Sequence, residues 1–199
     1  GYKFQFIMTF ASLFIAVFIF YIFSHLFQEQ NPYFSEYGDS YFYFLITGVT
    51  VADFALRVSN TLNIEIRNYQ ITGIFEEFMD INASLISLLM YSYIYPIFYG
   101  IFRAVIFLVF AIYFFDLNLM LDNLLYVLVS IGLSVFSFIG IGLMAGAYSI
   151  AFKRGNPLSS LNQISIIVIS GVFFPTYLFP EWLYSFSQLI PITHSVELV

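Results

Sequence analysis

FQFIMTFASLFIAVFIFYIFSHLF, residues 4–27, is the first of the long apolar runs that decide the fold of this chain. At a rise of 1.5 Å per residue, a helix over this run measures about 36 Å, which crosses the ~30 Å hydrocarbon core of a bilayer with some tilt. The run is too long and too aromatic for the core of a signal peptide, and no small-residue cleavage site follows it. We therefore predict a membrane-spanning helix here.

The composition of the whole chain agrees with a membrane protein. Of its 199 residues, 61% are hydrophobic and only 9% are charged, whereas soluble domains average about 25% charged residues. A soluble core of this size could not hide so much apolar surface, so we expect lipid to cover the outside. The net charge of −6 leaves no basic face for nucleic acid.

Sequence features of enzymes and metal sites are missing from the chain. It has no cysteine for a disulfide or a thiolate metal site, and its two isolated histidines cannot form a cluster by themselves. It also has no phosphate-cradling loop, no zinc-protease motif and no nucleophile elbow. We therefore expect no catalytic site, metal or cofactor on this chain.

Four further apolar runs predict four more spans, at about residues 41–62, 87–115, 124–152 and 157–174. The run at 87–115 exceeds one simple span and contains Pro96, so it either bends at that proline or begins outside the hydrocarbon. Pro157 suits the first position of the fifth helix, which we expect to end at Pro175. The prediction is an all-α, polytopic membrane helix bundle with five spans, forming one transmembrane domain over residues 1–199.

The segment that follows the fifth run is too short to cross a bilayer. Residues 180–190 lie between Pro180 and Pro191, and their apolar side chains have the spacing of one helical face. A helix of about 11 residues covers only half of the hydrocarbon core. We expect this short helix to lie in the interface or to re-enter the membrane from outside, within a segment at 175–191.

The cationic residues predict the orientation. Five of the six lie at alternate connections, and the connections between these carry acids but neither Lys nor Arg. These five are Lys3, Arg57, Arg67, Lys153 and Arg154. Because cytoplasmic loops are enriched in Lys and Arg, the N-terminus and a loop at 62–84 are predicted to be cytoplasmic, and 175–191 external. We expect the long side chain of Arg57 to snorkel to the inner interface.

The sixth cation, Arg103, lies inside the third run, where a charge costs at least ~2.5–3.5 kcal/mol. Asp53 is the only acid inside a predicted span, and both residues lie about 18 Å below the outer ends of their runs. Equal depth therefore allows an Asp53–Arg103 ion pair if these helices are neighbours, and this pair is one hypothesis. The alternative is that Arg103 lines a wet cavity or meets the carbonyls of a bent helix. In the fourth run, Gly142 and Gly146 favour close helix contact.

GVFFPTYLFPEWLYSFSQLIPITH, residues 171–194, resembles the outer re-entrant region of ABC-2 type transporter permeases. In that family a glycine, aromatic residues and a proline end the fifth span, a short helix begins with proline and tryptophan, and Pro-x-Thr precedes the last span. The matching positions are Gly171, Phe173, Phe174, Pro175, Pro180, Trp182, Pro191 and Thr193, and the resemblance implies that all of them except Phe173 form an outer gate. The alternative is an ordinary Pro-bounded interfacial helix with a tryptophan anchor.

EIRNYQITGIFEEFMD, residues 65–80, resembles the segment after the second span in the same family. In the family a short amphipathic helix there docks into a cleft of the ATPase subunit; here it is predicted at residues 72–80. The coupling residues that the resemblance implies are Arg67, Thr72, Gly73, Phe75, Glu76 and Glu77. The alternative is a passive interfacial helix, but its polar face is acidic, whereas anionic lipid favours Lys and Arg.

The resemblance covers nearly the whole chain and implies a permease subunit of an ABC exporter in the inner membrane of a prokaryote. Its expected partners are a second permease, identical or different, and two separate ATPase subunits that bind ATP and Mg. The expected cargo is amphipathic: a lipid, a lipid-linked polysaccharide or a hydrophobic drug. A sixth span after residue 199 and a lead-in helix before Lys3 are expected in the full chain. An ATP-independent transporter or channel and a membrane scaffold are the alternatives.

Overall fold

The computed structural model describes residues 2–28, 41–73, 85–116, 124–152, 157–190 and 192–194. Within these ranges the chain is helical and contains no strand. Four of the described helical segments are long and apolar enough to cross a membrane. The prediction of an all-α, polytopic membrane helix bundle is therefore confirmed.

The helices follow the apolar runs in order. The long ones are α1 (Tyr2–Gln28), α2 (Tyr41–Thr72), α4 (Ile94–Phe115) and α5 (Leu124–Phe152). Short helices lie between and after them: α3 (Leu85–Tyr91), α6 (Pro157–Ile164) with a π-helical continuation (Ser165–Ile169), a 3₁₀ turn (Thr176–Leu178) and α7 (Glu181–Ser187). The four candidate spans are Ile7–Leu26, Tyr41–Thr72, Leu89–Phe115 and Val135–Phe152.

Helix α2 is the centre of the bundle, since it packs against α1, α4, α5 and α6. Its side chains enter two apolar cores. In one core, Leu45, Val58 and Leu62 of α2 pack with Phe138 of α5, and in the other Ile46 packs with α1 and α4. Large apolar side chains on the outer faces of α1 and α4 are exposed, which is what a lipid-facing surface requires.

The loop predicted to begin at residue 62 does not begin there, because α2 remains helical through Thr72. Leu62 and Ile66, one turn apart, are fully buried against the bundle, while Arg67 and Asn68 are exposed. The 32-residue helix is about 48 Å long and exceeds the ~30 Å hydrocarbon core, so its polar end can stay helical with its charges in water. Residues 74–84, which include Phe75, Glu76 and Glu77, lie outside the described residues.

The third apolar run is broken near Pro96. Of the two alternatives predicted for this run, the structure shows the interruption at the proline. Helix α3 ends at Tyr91 and α4 begins at Ile94, so Pro96 occupies the first turn of the second piece. Proline has no N–H to donate and its ring displaces the carbonyl four residues earlier, which is why one continuous helix is disfavoured. The Tyr93 carbonyl instead accepts the first hydrogen bond of α4, from the Ile97 N–H at 3.1 Å.

The fifth run is shorter than predicted, so the count of five spans is not reached among the described residues. Its helix starts at Pro157, as expected, but ends at Ile169. Thirteen residues make only about 20 Å of helix. Gly171, with φ +80°, explains the early end, since this left-handed backbone cannot continue a right-handed helix.

The glycines of α5 allow its close contact with α2. A Cβ atom at Gly146 would lie 2.9 Å from Ile66 Cδ1 and 3.2 Å from Leu62 Cβ. At Gly142 it would lie 3.1 Å from the Ser59 carbonyl oxygen and collide with the Tyr93 hydroxyl. The predicted role of this glycine pair in close packing is confirmed.

Candidate functional site: a charge cluster within the bundle

Asp53 of α2 is shared by two arginines. Arg57, one turn further along α2, donates from Nε to Oδ2 at 2.9 Å and from Nη2 to Oδ1 at 3.2 Å. Arg103 reaches the same two oxygens from α4, at 3.2 and 3.4 Å. The Asp53–Arg103 contact expected from equal depth is thus present, because α2 and α4 are neighbours.

The role of Arg57 was not predicted from the sequence, which assigned it to the inner interface. The signal was present: Asp53 and Arg57 are four residues apart, a spacing that places both on one helix face. Long Arg side chains in helices point back toward the N-terminus. Arg57 therefore turns toward Asp53 and the middle of the membrane.

The three charges form a cluster with one excess positive charge, since two guanidiniums share one carboxylate. Asp53 and Arg57 keep 39% and 32% of their side-chain surface exposed, and Arg103 keeps 17%. The Arg57 guanidinium also lies 5.5 Å from the centre of the Tyr99 ring, within cation–π range. Tyr99 in turn stacks on Tyr95, with ring centres 5.6 Å apart.

Two spaces flank the charge cluster. A cavity of about 100 Å³ lies on the Arg103 side between α1, α2 and α4, where Ser12 and Thr50 supply polar atoms. An open groove of about 410 Å³ lies on the Arg57 side and continues along α2 to Glu65, with Tyr95 and Tyr99 as its other wall. The cluster therefore borders accessible space on both sides.

The segment predicted as an outer gate folds back on the Tyr41 end of α2. The Tyr41 hydroxyl donates to the Phe173 carbonyl oxygen at 2.8 Å. Gly48 lets the backbone of Val172 approach α2 closely, since a Cβ atom at Gly48 would lie 2.9 Å from the Val172 carbonyl oxygen. Neither Tyr41 nor Gly48 was singled out for this role from the sequence, because only the fold shows which helix receives the segment.

Some of the predicted gate residues are buried and others are exposed. Pro180 directly precedes α7, whose end at Ser187 is earlier than the predicted 190. Pro175 is buried, whereas Phe174, Pro180 and Trp182 are exposed. Thr193 is fully buried, and its Oγ1 meets no hydrogen-bond partner in the portion of the chain that is described. Pro191 lies outside the described residues.

Gly171→Ala is expected to destabilise the protein by about 2 kcal/mol or more, from the left-handed backbone and a steric collision together. The added methyl group would lie 2.6 Å from Thr176 Cγ2. Gly73→Ala is the matched control, because φ is +75° there and no atom lies within 4 Å. The measurement is the thermal midpoint of monodisperse protein in detergent. Adding Thr176→Ser to Gly171→Ala should recover some of the lost stability, because serine lacks the Cγ2 methyl group. Equal thermal midpoints for Gly171→Ala and Gly73→Ala would contradict the collision.

The predicted coupling residues that the structure describes lie at the opposite end of α2. Arg67 is exposed, and the Thr72 hydroxyl donates to the Asn68 carbonyl oxygen at 2.8 Å in the last turn. Gly73 then leaves the helix with φ +75°. The 1.5 Å rise per residue separates Thr72 from Tyr41 by about 46 Å. One helix thus joins the two segments that the sequence suggested as functional.

Polar side chains also join α2 to α5 and α6 near this end. The Ser149 hydroxyl donates to Asn63 Oδ1 at 2.6 Å, and Asn63 Nδ2 donates to Ser159 Oγ at 3.3 Å. Gln163 Nε2 lies 3.4 Å from Asn60 Oδ1. Such bonds hold helices together where lipid offers no hydrogen-bonding alternative. They were missed because Asn63 was assigned to a loop.

Comparison with protein families gives a match over nearly the whole chain. A family model described as ABC-2 type transporter matches residues 2–199. No curated protein and no solved structure matches the chain. The match covers both sequence stretches that carry the resemblance, residues 65–80 and 171–194.

Proposed function

The chain belongs to the ABC-2 type transporter family, and from this premise we propose that it is a permease subunit that exports an amphipathic cargo from the cytoplasm. The proposed cargo is a lipid, a lipid-linked polysaccharide or a hydrophobic drug. Members of the family are transporter components and work with ABC ATPase subunits. The multi-pass helical bundle provides the membrane portion of such a machine.

The observation that carries the proposal is the position of α2. It packs against the other three long helices, receives the Gly171–Pro180 segment at its Tyr41 end, and ends at Thr72–Gly73 on the other side. A displacement imposed at Gly73 therefore reaches the segment through one continuous helix. This is the connection that an ATP-driven permease requires between an ATPase contact and a gate.

The proposed arrangement is a pair of permeases with two ATPase subunits on the cytoplasmic side, in the inner membrane of a prokaryote. The ATPases bind ATP and Mg, and their closure moves the predicted coupling segment after Gly73 against the end of α2. The charge pattern of the connections supports this orientation, with the Thr72 end inside and the Pro175–Pro180 segment outside. The motion opens a path between the two permeases.

Glu76→Lys and Phe75→Ala are expected to weaken ATPase association about tenfold, because a docking helix loses a charge contact or an apolar anchor. The measurement is co-purification of the full-length protein with a co-expressed ABC ATPase subunit that supports its export activity. Glu181→Lys, an exposed acid at the other end of the molecule, is the matched control and should retain the ATPase. Undiminished association and ATP-driven export in both test variants would rule out the coupling assignment.

A further inference from the structure

The groove beside Arg57 borders a cluster that, among the described residues, has one more positive than negative charge. Asp53 accepts from both arginines and is the only carboxylate paired with them among the described residues. Arg57 donates from Nε and Nη2 only, so its Nη1 donors meet no acceptor in the portion of the chain that the structure describes. Two guanidiniums that share one carboxylate inside a span leave one positive charge in excess, and a second anion would offset it. The free face of Arg57 is therefore a site for an anionic group.

A second charge lies further along the same groove. Glu65 also lines it, two turns beyond Arg57 on α2 and about 12 Å away along the axis. The groove thus offers a positive group toward the membrane centre and a negative group toward the Thr72 end. Neutral polar side chains, Asn60 and Thr61, lie between them.

The depth of these groups suits a lipid in the leaflet on the Thr72 side. The Cα atom of Arg57 lies about 24 Å from the Tyr41 end, about 6 Å short of the far boundary of a ~30 Å hydrocarbon core, and its guanidinium turns from there toward Asp53. Next to the groove, Tyr95, Phe98 and Phe102 form one exposed face of α4, at i, i+3 and i+7. The acyl chains of a lipid can pack along this face toward the membrane centre.

We propose that this groove binds a glycerophospholipid whose headgroup carries a phosphodiester and a terminal ammonium group. The phosphate pairs with the free face of Arg57, the ammonium group with Glu65, and the acyl chains lie on the exposed face of α4. The order of charges matches, because the ammonium group of such a lipid lies further from the acyl chains than the phosphate does. The proposed site is for a bound lipid, and it does not depend on the identity of the exported cargo.

The test is a lipid titration of the full-length, delipidated protein followed by native mass spectrometry. Phosphatidylethanolamine and phosphatidylglycerol with the same acyl chains are compared, and inorganic phosphate is added as a competitor. Phosphatidylethanolamine should bind more tightly than phosphatidylglycerol. Arg57→Gln should weaken both lipids about tenfold, the usual effect of losing a charge-assisted hydrogen bond, and Arg57→Lys should weaken them less.

Glu65→Gln distinguishes the ammonium contact from the phosphate contact. It should reduce phosphatidylethanolamine binding to the level of phosphatidylglycerol and leave phosphatidylglycerol binding unchanged, whereas Glu181→Gln, outside the groove, should change neither. Glu65 lies at the groove surface, so this variant remains informative if Arg57→Gln fails to fold. Equal binding of both lipids to the unmodified protein would overturn the proposal. So would displacement of lipid by inorganic phosphate, which would indicate a free-phosphate site.

Discussion

Gly142→Ala is expected to lower the stability of the protein by about 1–3 kcal/mol, the usual effect of overpacking a tight contact. The new methyl group would lie 3.1 Å from the Ser59 carbonyl oxygen and would collide with the Tyr93 hydroxyl. The backbone of α2 cannot move aside easily, because the same helix also packs against α1 and α4. The loss should appear as a lower thermal midpoint and a smaller monodisperse fraction.

Gly140→Ala is the matched control on the same helix. No atom lies within 4 Å of a Cβ built at Gly140, and alanine favours a helix over glycine by up to about 1 kcal/mol. Gly140→Ala should therefore leave the midpoint unchanged or raise it. The close contact between α5 and α2 would be refuted if both variants moved the midpoint in the same direction.

Asp53→Asn is expected to destabilise the protein by about 2–3 kcal/mol, because it leaves two guanidiniums in the bundle without a carboxylate. The value lies at the low end for a broken buried pair, since Asp53 is 39% exposed. Arg103→Gln should cost about 1 kcal/mol or less, because the Asp53–Arg57 pair remains. Thermal midpoints in detergent measure both effects.

The double variant Asp53→Asn/Arg103→Gln tests whether the two residues act as a pair. It should lose less stability than the sum of the single changes, because one uncompensated cation is removed together with the carboxylate. Exchanging the two charges is a poorer test, since an arginine at position 53 would face Arg57 one turn away on the same helix. Strict additivity in the double variant would argue against the Asp53–Arg103 contact.

Length and composition were sufficient to predict the helices that span the membrane. The apolar runs at 4–27, 87–115 and 124–152 each correspond to a long helix or a helix pair, because lipid requires every backbone polar group to be satisfied within the segment. The break near Pro96 followed from the missing N–H of proline. The Asp53–Arg103 contact followed from equal depth, on the condition that the two helices are neighbours.

Polarity misled the prediction at the ends of helices. Residues 63–72 resemble a loop because they include Glu65 and Arg67, yet a helix that leaves the hydrocarbon can carry charges on its exposed side. The buried Ile66, one turn after Leu62, was the periodic signal that the helix continues. The early end of the fifth helix depends on the backbone angle of Gly171, which composition does not reveal.

Only some of the polar and ionic contacts of α2 could be predicted. Arg57 was assigned to the interface by its general tendency to snorkel, although the i, i+4 spacing to Asp53 favours a pair. The bonds that Tyr41 and Asn63 make join residues 86 or more positions apart. Such contacts depend on which helix faces which, and one sequence by itself does not contain that information.

The length of α2 has a mechanical consequence. A rod of about 48 Å that tilts by about 5° around one end carries its other end through about 4 Å, more than the width of a water molecule. Because Tyr41 is bonded to the backbone of Phe173, the folded segment has to follow that arc or release the bond. A small angle at Gly73 thus becomes a displacement large enough to separate a pair of touching side chains on the opposite face of the membrane.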